Sequence, residues 1–318
     1  MEDERWRRFM RHMRHGEFEA AWQISDSILA ERLNTPRFYW PRHVQYLWNG
    51  KPLEGKRVLV RCCHGLGDTV QFIRYLPMLR AKTAAVTVCA QTTLIPLLKT
   101  MPAVGRVMPL HNEIPDSERD IDIEVMELPY IFRTTIDSIP ASVPYFGVEP
   151  APIRKKNICV GIAWRGGPWD RRRDVPFRLI SKLTEVPGTT FYALDKYPFR
   201  SEFHEKVRYM LNADADALVT AGIIQAMDVV ISIDSLPAHL AGALAVPTWL
   251  LLQSESDWRW MENRTDTPWY PTMRLFRQKH AGDWTEVIEH VQAELMLIAE
   301  SSIRTSTASG RGQPPMPA

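Results

Sequence analysis

The sequence predicts an α/β protein built on parallel sheets. Short apolar runs of strand length, rich in β-branched residues, alternate with segments whose apolar residues recur at helical spacing. Strands that alternate with helices imply parallel sheets covered on both faces. Two of the runs, 57–62 and 229–233, lead directly into a helix start, which is the place where such sheets bind ligands. With 318 residues, the chain is long enough for about two domains.

Composition excludes several classes of function. Lysine plus arginine number 39 against 37 aspartate plus glutamate, so no overall field favours nucleic acid. The four cysteines lack the spacing of metal ligands, and we expect them to be reduced. They are Cys62, Cys63, Cys89 and Cys159. Residues 1–14 are charged throughout, unlike a signal peptide, and the longest apolar stretch, 240–252, is short of the ~20 residues of a membrane span. We therefore expect a soluble cytoplasmic protein whose membrane contacts, if any, are peripheral.

The first 34 residues have the pattern of two helices joined by a turn. Gly16 ahead of Phe18 and Ala21 resembles the turn and second helix of a tetratricopeptide repeat. One copy cannot bury its own faces. We therefore predict that residues 1–50, a helical extension and linker, dock onto the next domain or pair with another subunit.

The remaining chain divides at the Pro- and Lys-rich segment 150–157. We predict a first Rossmann-like domain over 51–152, a second over 153–282, a closing helix at 283–300 that packs back on the first domain, and a disordered tail at 301–318. Strands are predicted at 57–62, 85–89, 106–108, 121–125, 158–164, 190–194, 229–233, 248–252 and 274–276. Helices are predicted from Asp68 and Ser235 and over 94–100, 177–184, 202–211, 216–227 and 284–298.

The turn after the first strand, Gly-Leu-Gly-Asp, is a candidate site. Gly65 and Gly67 allow the backbone to approach a ligand, and the first N–H groups of the helix are free to bind it. Asp68 and Gln71 also have the spacing of a capping box, so Asp68 could simply hold the first helical turn. If it acts as a base instead, we expect one of its oxygens to face the second domain.

The second half contains two further candidate segments. Asp234 and Ser235 can cap a helix start beyond a buried strand, which makes that start a candidate phosphate site, although Asp234 could be only a cap and His239 a packed core residue. An arginine-rich loop, 165–173, follows the first strand of this half. Its guanidinium groups could clamp a diphosphate or form a solvated surface.

Four segments together resemble bacterial glycosyltransferases of the heptosyltransferase-like kind, of the family 9 type. The segments are GLGDTVQFIRYLPML, ICVGIAWRGG, DVVISIDSLPAHLAGAL and DWRWMENRTDTPWYPTMRLFRQ. The closest likeness is to the branch in which the catalytic unit follows tetratricopeptide repeats, and it covers about residues 45–300. The resemblance implies a GT-B architecture, in which two Rossmann-like domains face each other across a cleft. It also implies that the second domain holds a nucleotide sugar and the first presents the acceptor.

The resemblance assigns roles to individual residues. Asp68 matches the position of the catalytic base of an inverting, metal-independent transfer, which uses a nucleotide sugar as co-substrate and no cofactor. The donor-binding candidates are Trp164, Arg172, Arg173, Asp234, Ser235, Ala238, His239 and Asp257, and the acceptor-side candidates are Gly65, Gly67 and Gln71. An ADP-heptose-like donor is the first expectation. A glycan, a lipid-linked compound or a protein would be the acceptor, and a homo-oligomer is left open.

Some features leave other functions open. Pro237 removes one N–H donor from the helix start that would bind phosphate, so a non-catalytic sugar-nucleotide-binding or scaffold protein is the alternative. His64 could contact the acceptor or only fill space. Asp122 and Glu124 alternate with isoleucines as in a half-exposed strand, which argues against a metal site. A dinucleotide-dependent oxidoreductase has the least support, because the third glycine of its fingerprint is missing.

Overall fold

The fold is described from a computed structural model. The structure describes residues 4–32, 47–111, 117–168, 170–195 and 205–309, with side chains as far as 301. Residues 34–46 of the predicted linker 34–51 and the last residues, 310–318, lie outside the described residues.

Two helices open the described chain, as the sequence predicts. They are α1 (Glu4–Arg14) and α2 (Phe18–Arg32). Gly16 joins them with a φ of +75°, a conformation that glycine adopts without steric cost. The pair docks onto both halves of the protein: Trp22 Nε1 donates to the carbonyl of Thr134 at 2.7 Å, and Glu262 N–H donates to the carbonyl of Arg14 at 3.0 Å. The structure therefore shows the extension docked onto the next domain, which is one of the two roles expected for it.

The first sheet has four strands, all parallel, in the order β3-β2-β1-β4. The strands are β1 (Arg57–Arg61), β2 (Ala85–Ala90), β3 (Arg106–Pro109) and β4 (Ile121–Glu124). The helices are α3 (Leu66–Phe72), α4 (Leu76–Lys82), α5 (Ile95–Leu98) and α6 (Leu128–Ile131). From β1 the chain continues to β2 and β3 on one side of the sheet, whereas β4 pairs with β1 on the other side. The order of the strands therefore reverses between β1 and β4. That is where an open α/β sheet binds its ligand.

The second sheet has six parallel strands in the order β10-β9-β8-β5-β6-β7, and its strand order reverses between β5 and β8. Its strands are β5 (Ile158–Ala163), β6 (Thr189–Ala193), β7 (Val207–Tyr209), β8 (Val229–Ile233), β9 (Thr248–Leu252) and β10 (Met273–Arg277). Its helices are α7 (Phe177–Leu183), α8 (Ala217–Gln225), α9 (Leu236–Ala243) and α10 (Thr285–Ser309). The α/β class and the two parallel sheets predicted from the sequence are confirmed.

One continuous apolar core joins the two halves. Its buried residues come from α1 and α2, from the first sheet, and from α8 and α9 of the second half. A separate apolar cluster lies on the other face of the second sheet, under α7 and α10. Helix α3 of the first half packs directly against α9 of the second, so the Gly-Leu-Gly-Asp turn lies at the contact between the halves.

Three sequence predictions are wrong in the described residues. Residues 207–209 form edge strand β7 where 202–211 was predicted helical, because a three-residue edge strand is too short to show a periodicity. Residues 301–309 continue α10 rather than forming a disordered tail, since extending a nucleated helix costs little per residue. The closing helix packs on the second sheet instead of the first domain: Val287, Ile288 and Val291 belong to the cluster under α7.

Candidate functional site

The Gly-Leu-Gly-Asp turn begins α3, with Gly65 at the N-cap position. Asp68 reaches back so that its Oδ2 accepts the N–H of Gly65 at 2.9 Å. One oxygen of Asp68 therefore holds the first helical turn, as the capping interpretation expected, but the capping box joins Gly65 and Asp68, and the predicted box between Asp68 and Gln71 is wrong.

The other oxygen of Asp68 faces the second half, where an arginine meets it. Arg259 Nη2 donates to Asp68 Oδ1 at 2.8 Å, and Arg259 is only 6% exposed. The same guanidinium donates to Asp257 Oδ1 and to Gln71 Oε1, each at 2.9 Å. Three predicted site residues, Asp68, Gln71 and Asp257, thus meet around an arginine that the sequence did not single out.

The arginine determines the protonation of Asp68. Burial disfavours the charged carboxylate, but the charge and hydrogen bond of Arg259 outweigh burial and lower the pKa of Asp68. The charges of Asp257 and Asp68 in turn raise the pKa of Arg259 despite its burial. Asp68 is therefore an ionised anchor between the halves, and its charge is compensated, which weakens it as a base.

The second glycine of the turn makes room for a side chain from the other half. A Cβ at Gly67 would lie 2.6 Å from Cδ2 of His239, closer than real contacts allow. His239 is 2% exposed, and its Nδ1 lies 3.0 Å from the Tyr270 hydroxyl. Because Gly67 has no side chain, α9 can pack closely against α3. His239 is a packed residue at the contact between the halves.

The polar side chains of the turn that precedes α9 are bound to other groups of the protein. Ser235 is the N-cap, and its hydroxyl donates to the Ile233 carbonyl at 3.3 Å rather than capping the helix. Asp234 Oδ2 accepts from Trp260 Nε1 at 2.8 Å. Burial opposes ionisation of Asp234, but the contact with His239 outweighs it and lowers the pKa of Asp234 to about 2. Ala238 is fully buried in α9.

The arginines of the loop after β5 are held by their own neighbours. Arg172 is 70% exposed in its side chain and makes two hydrogen bonds of 2.9 Å to Asp170. Arg173 Nη1 donates to the Asp234 carbonyl at 2.7 Å, which ties this loop to the start of α9. Trp164 is 1% exposed and packs on Phe177, and its role in donor binding stays a prediction.

Sequence reasoning gave no site role to several polar residues near the two places where the strand order reverses. They are Arg61 and Glu124 at the ends of β1 and β4, Asp195 after β6, and Arg259. Sequence reasoning also expected Glu124, which is 1% exposed, on a half-exposed strand. Burial, with Asp174 nearby, raises the pKa of Asp195 to about 7, and Asp195 Oδ2 accepts the Trp164 N–H at 3.3 Å. Their position at the carboxyl ends of predicted parallel strands was the available signal for the first three.

Metal and membrane features were searched in the part of the chain that the structure describes. There, no group of three or more His, Cys, Asp or Glu side chains is placed to hold a metal ion. None of the described helices is long and apolar enough to cross a membrane.

Comparison with known proteins begins with sequence. No family model matches the chain. Protein FlbA of Caulobacter vibrioides is 25% identical over 327 aligned positions, which cover 90% of this chain and 54% of FlbA. The chain thus spans about half the length of that curated relative.

Solved structures show the fold. The glycosyltransferase family 9 structure from Veillonella parvula matches with a TM-score of 0.53 at 13% identity, over 72% of this chain and 87% of the other. ADP-heptose LPS heptosyltransferase II of Escherichia coli gives 0.53 at 16% identity, over 77% and 99%. The iron-containing dodecameric glycosyltransferase TibC of enterotoxigenic E. coli gives 0.52 at 11% identity, over 74% and 67%. The chain therefore has the two-domain GT-B fold of heptosyltransferase-like proteins, as the resemblance implied.

Proposed function

We propose that the protein is a glycosyltransferase that moves a sugar from a nucleoside diphosphate donor to a hydroxyl acceptor. The observation that carries the proposal is the meeting of two ligand-binding sheet edges. The turn after β1 packs against α9, which follows β8, through the contact of Gly67 with His239, and against the segment after β9 through the contact of Asp68 with Arg259. In a GT-B fold these two edges flank the cleft in which donor and acceptor react.

The finer proposal is an inverting, metal-independent transfer with an ADP-heptose-like donor. TibC, whose fold is similar, has a structure in complex with ADP-D-β-D-heptose, which supports testing that donor first. The acceptor hydroxyl attacks the anomeric carbon, and the bond to the nucleoside diphosphate breaks. The leaving diphosphate gains negative charge, which the start of α9 and loop arginines can stabilise.

Binding a diphosphate requires the loop after β5 to exchange partners. Arg172 is bound to Asp170 and is largely exposed, so a phosphate could take the place of that carboxylate. Arg173 already bridges the loop and the Asp234 carbonyl, beside the start of α9. In the proposal Arg172 binds the diphosphate directly, and Arg173 also positions the turn.

The base that the resemblance assigns is Asp68. For Asp68 to take a proton, Arg259 has to leave its Oδ1, since the other oxygen is bound to the Gly65 N–H. The alternative function, a non-catalytic sugar-nucleotide-binding or scaffold protein, is favoured by this same ion pair and by the buried Pro237 in the first turn of α9.

The experiment that tests the proposal measures binding and hydrolysis of ADP-heptose and of UDP- and GDP-sugars, as release of nucleoside diphosphate. We expect one donor to bind and to be turned over, with Asp68→Asn slower and Asp266→Asn, an exposed aspartate paired with Arg264, unchanged. Binding without turnover on any donor or acceptor would establish the alternative. No binding of any nucleotide sugar would contradict the proposed function and a sugar-nucleotide-binding role, and would leave only the scaffold role.

A further inference from the structure

A pocket with a volume of about 210 Å³ lies beside the second sheet. Its lining comes from the first residues of β5 and β6, from β7, and from the segment that joins the two halves. The start of α9 and the loop after β5, which bind the donor in the proposed function, follow the carboxyl ends of their strands. The pocket lies toward the amino ends, so the proposed transfer does not use it.

Three cationic side chains line this pocket. Arg154 and Lys156 come from the segment between the halves, and Arg208 comes from β7. Within the described ranges none of the three has a carboxylate partner. Asp228 is already paired with Lys155, whose Nζ lies 2.8 Å from its Oδ1. Because a cleft lined by charges of one sign concentrates the opposite ion, this pocket attracts an anion.

Arg208 is held at the wall of the pocket by an aromatic residue. Its Nη1 donates to the Tyr192 hydroxyl at 3.2 Å, and its guanidinium carbon lies 5.6 Å from the centre of the Tyr192 ring. Tyr192 itself is 2% exposed and therefore fixed by packing. The contact occupies one nitrogen of the guanidinium group, and the others remain to bind an oxygen of a ligand.

The uncharged part of the lining supplies hydrogen-bond donors. The Thr190 hydroxyl accepts from Asn157 Nδ2 at 3.2 Å, so its own proton is left for another acceptor. Burial raises the pKa of Cys159 and that of Tyr192, so both groups stay neutral near pH 7. The lining that the structure describes contains no carboxylate, and the pocket therefore presents positive charge and donors together.

We propose that this pocket binds a phosphate group through Arg154, Lys156 and Arg208. Two guanidinium groups offer forked N–H donors that match phosphate oxygens, and the ammonium group adds a point charge. The phosphate belongs either to the free inorganic ion or to a small phosphomonoester, and its chemistry in the pocket is the same. Bound phosphate connects the segment between the halves to β7, and it stabilises the folded chain because it binds that state. The site is additional to the proposed function.

The experiment uses the full chain and measures binding of inorganic phosphate by calorimetry, with the shift in Tm as a second readout. We expect phosphate to raise Tm above the value in sodium chloride of equal ionic strength. Arg154→Gln combined with Lys156→Gln should weaken phosphate affinity by about tenfold or more. Both residues are exposed, so this variant should fold. Lys99→Gln combined with Arg106→Gln removes the same charge from exposed positions of the first half and should keep wild-type affinity.

Two titrations identify the source of the phosphate group. Binding of a hexose phosphate more tightly than inorganic phosphate, with the same dependence on Arg154 and Lys156, identifies an organic phosphate. Binding of inorganic phosphate at least as tightly identifies the free ion. Either result supports the site, even if no nucleotide sugar binds to the protein.

Three results would overturn the inference. One is a wild-type Tm that responds to phosphate no more than to chloride. Another is an equal affinity for phosphate in the wild type and the Arg154→Gln, Lys156→Gln variant, or an equal loss in the control. The third is loss of phosphate binding in Arg172→Gln instead, which would assign the phosphate to the loop after β5 and leave the proposed function intact.

Discussion

Two arginine-bearing regions of the molecule differ in what holds their guanidinium groups. The loop after β5 has three consecutive arginines, and the sequence marks it as a cationic site. Its residues Arg171 and Arg172 are bound to Asp174 and Asp170, and Arg173 to the Asp234 carbonyl. The edge of the first sheet has the lone Arg61 within a strand, and its buried Nε has no partner in the described chain. A count of charges in a loop is therefore a poor guide to which cation is available for a ligand.

The two halves also contribute different groups to the contact between them. The second half contributes Arg259 and His239, and the first half contributes the carboxylate and the glycine that receive them. A further arginine, Arg74 of the first half, donates to the Trp269 carbonyl of the second. The contact between the halves is thus polar and specific at its centre. Two predictions probe it in order of expected size, and a third concerns a buried carboxyl group within the second half.

The largest effect is expected for Arg259→Ala. Removing this buried guanidinium leaves the carboxylates of Asp68 and Asp257 without their shared partner, and breaking a buried ion pair from one side costs about 3–5 kcal/mol. Urea unfolding should show this loss. Arg264→Ala, which breaks an exposed pair with Asp266, is the control and should change stability by less than about 1 kcal/mol. Equal effects for both variants would contradict the anchoring role of Arg259.

An intermediate effect is expected for Gly67→Ala. The added methyl group would meet the His239 ring at 2.6 Å, and overpacking of this kind costs about 1–3 kcal/mol. Gly167→Ala is the matched control, since a Cβ there meets nothing within 4 Å. Its unfolding free energy should stay within about 0.5 kcal/mol of wild type. A fully stable Gly67→Ala protein would show that the two turns do not need this close approach.

The third prediction, for Asp195→Asn at the edge of the second sheet, is an effect that depends on pH. The folded protein holds the proton of this carboxyl up to a pKa of about 7, whereas the ordinary value is 3.8. Between these values unfolding releases a proton, so this group makes the protein less stable as pH rises from about 4 to about 7. The variant lacks this loss, and we expect it to be more stable than wild type at pH 8 by up to about 4 kcal/mol.

The measurement for Asp195→Asn is the difference in urea midpoint from wild type at pH 4.5 and at pH 8. The advantage of the variant should be present at pH 8 and nearly absent at pH 4.5. Asp266→Asn is the control, because pairing with Arg264 lowers the pKa of Asp266 and gives the opposite trend. A difference for Asp195→Asn that does not change with pH would exclude Asp195 as a group that titrates near neutrality.

Most elements of the fold could be predicted from the sequence, for a simple reason. Strands such as β5 and β8 are buried along their whole length, so their sequences are continuous runs of apolar residues. Elements whose identity depends on their neighbours were missed. Edge strand β7 has three residues, and α10 packs on the second sheet because that face, under α7, has apolar positions to cover.

The candidate site was predictable only in part. Asp68, Gln71 and Asp257 were named and are brought together, but the residue that joins them, Arg259, lies 191 positions from Asp68 in the chain. Trp164 and His239 were named as site residues, and both are buried in the fold. Spacing within a segment shows which side chains share a turn, whereas partners from distant segments follow from tertiary packing.

The sequence by itself determined the α/β class, the two parallel sheets, and the turns after β1 and β8, because hydrophobic periodicity and helix-start chemistry are local. Tertiary structure decided how charges are paired. Arg259 neutralises Asp68, the loop arginines are bound by their neighbours, and the buried Nε of Arg61 has no partner among the described residues. The energy of a charge depends on the groups that surround it, and those groups are assembled only when the two halves fold against each other.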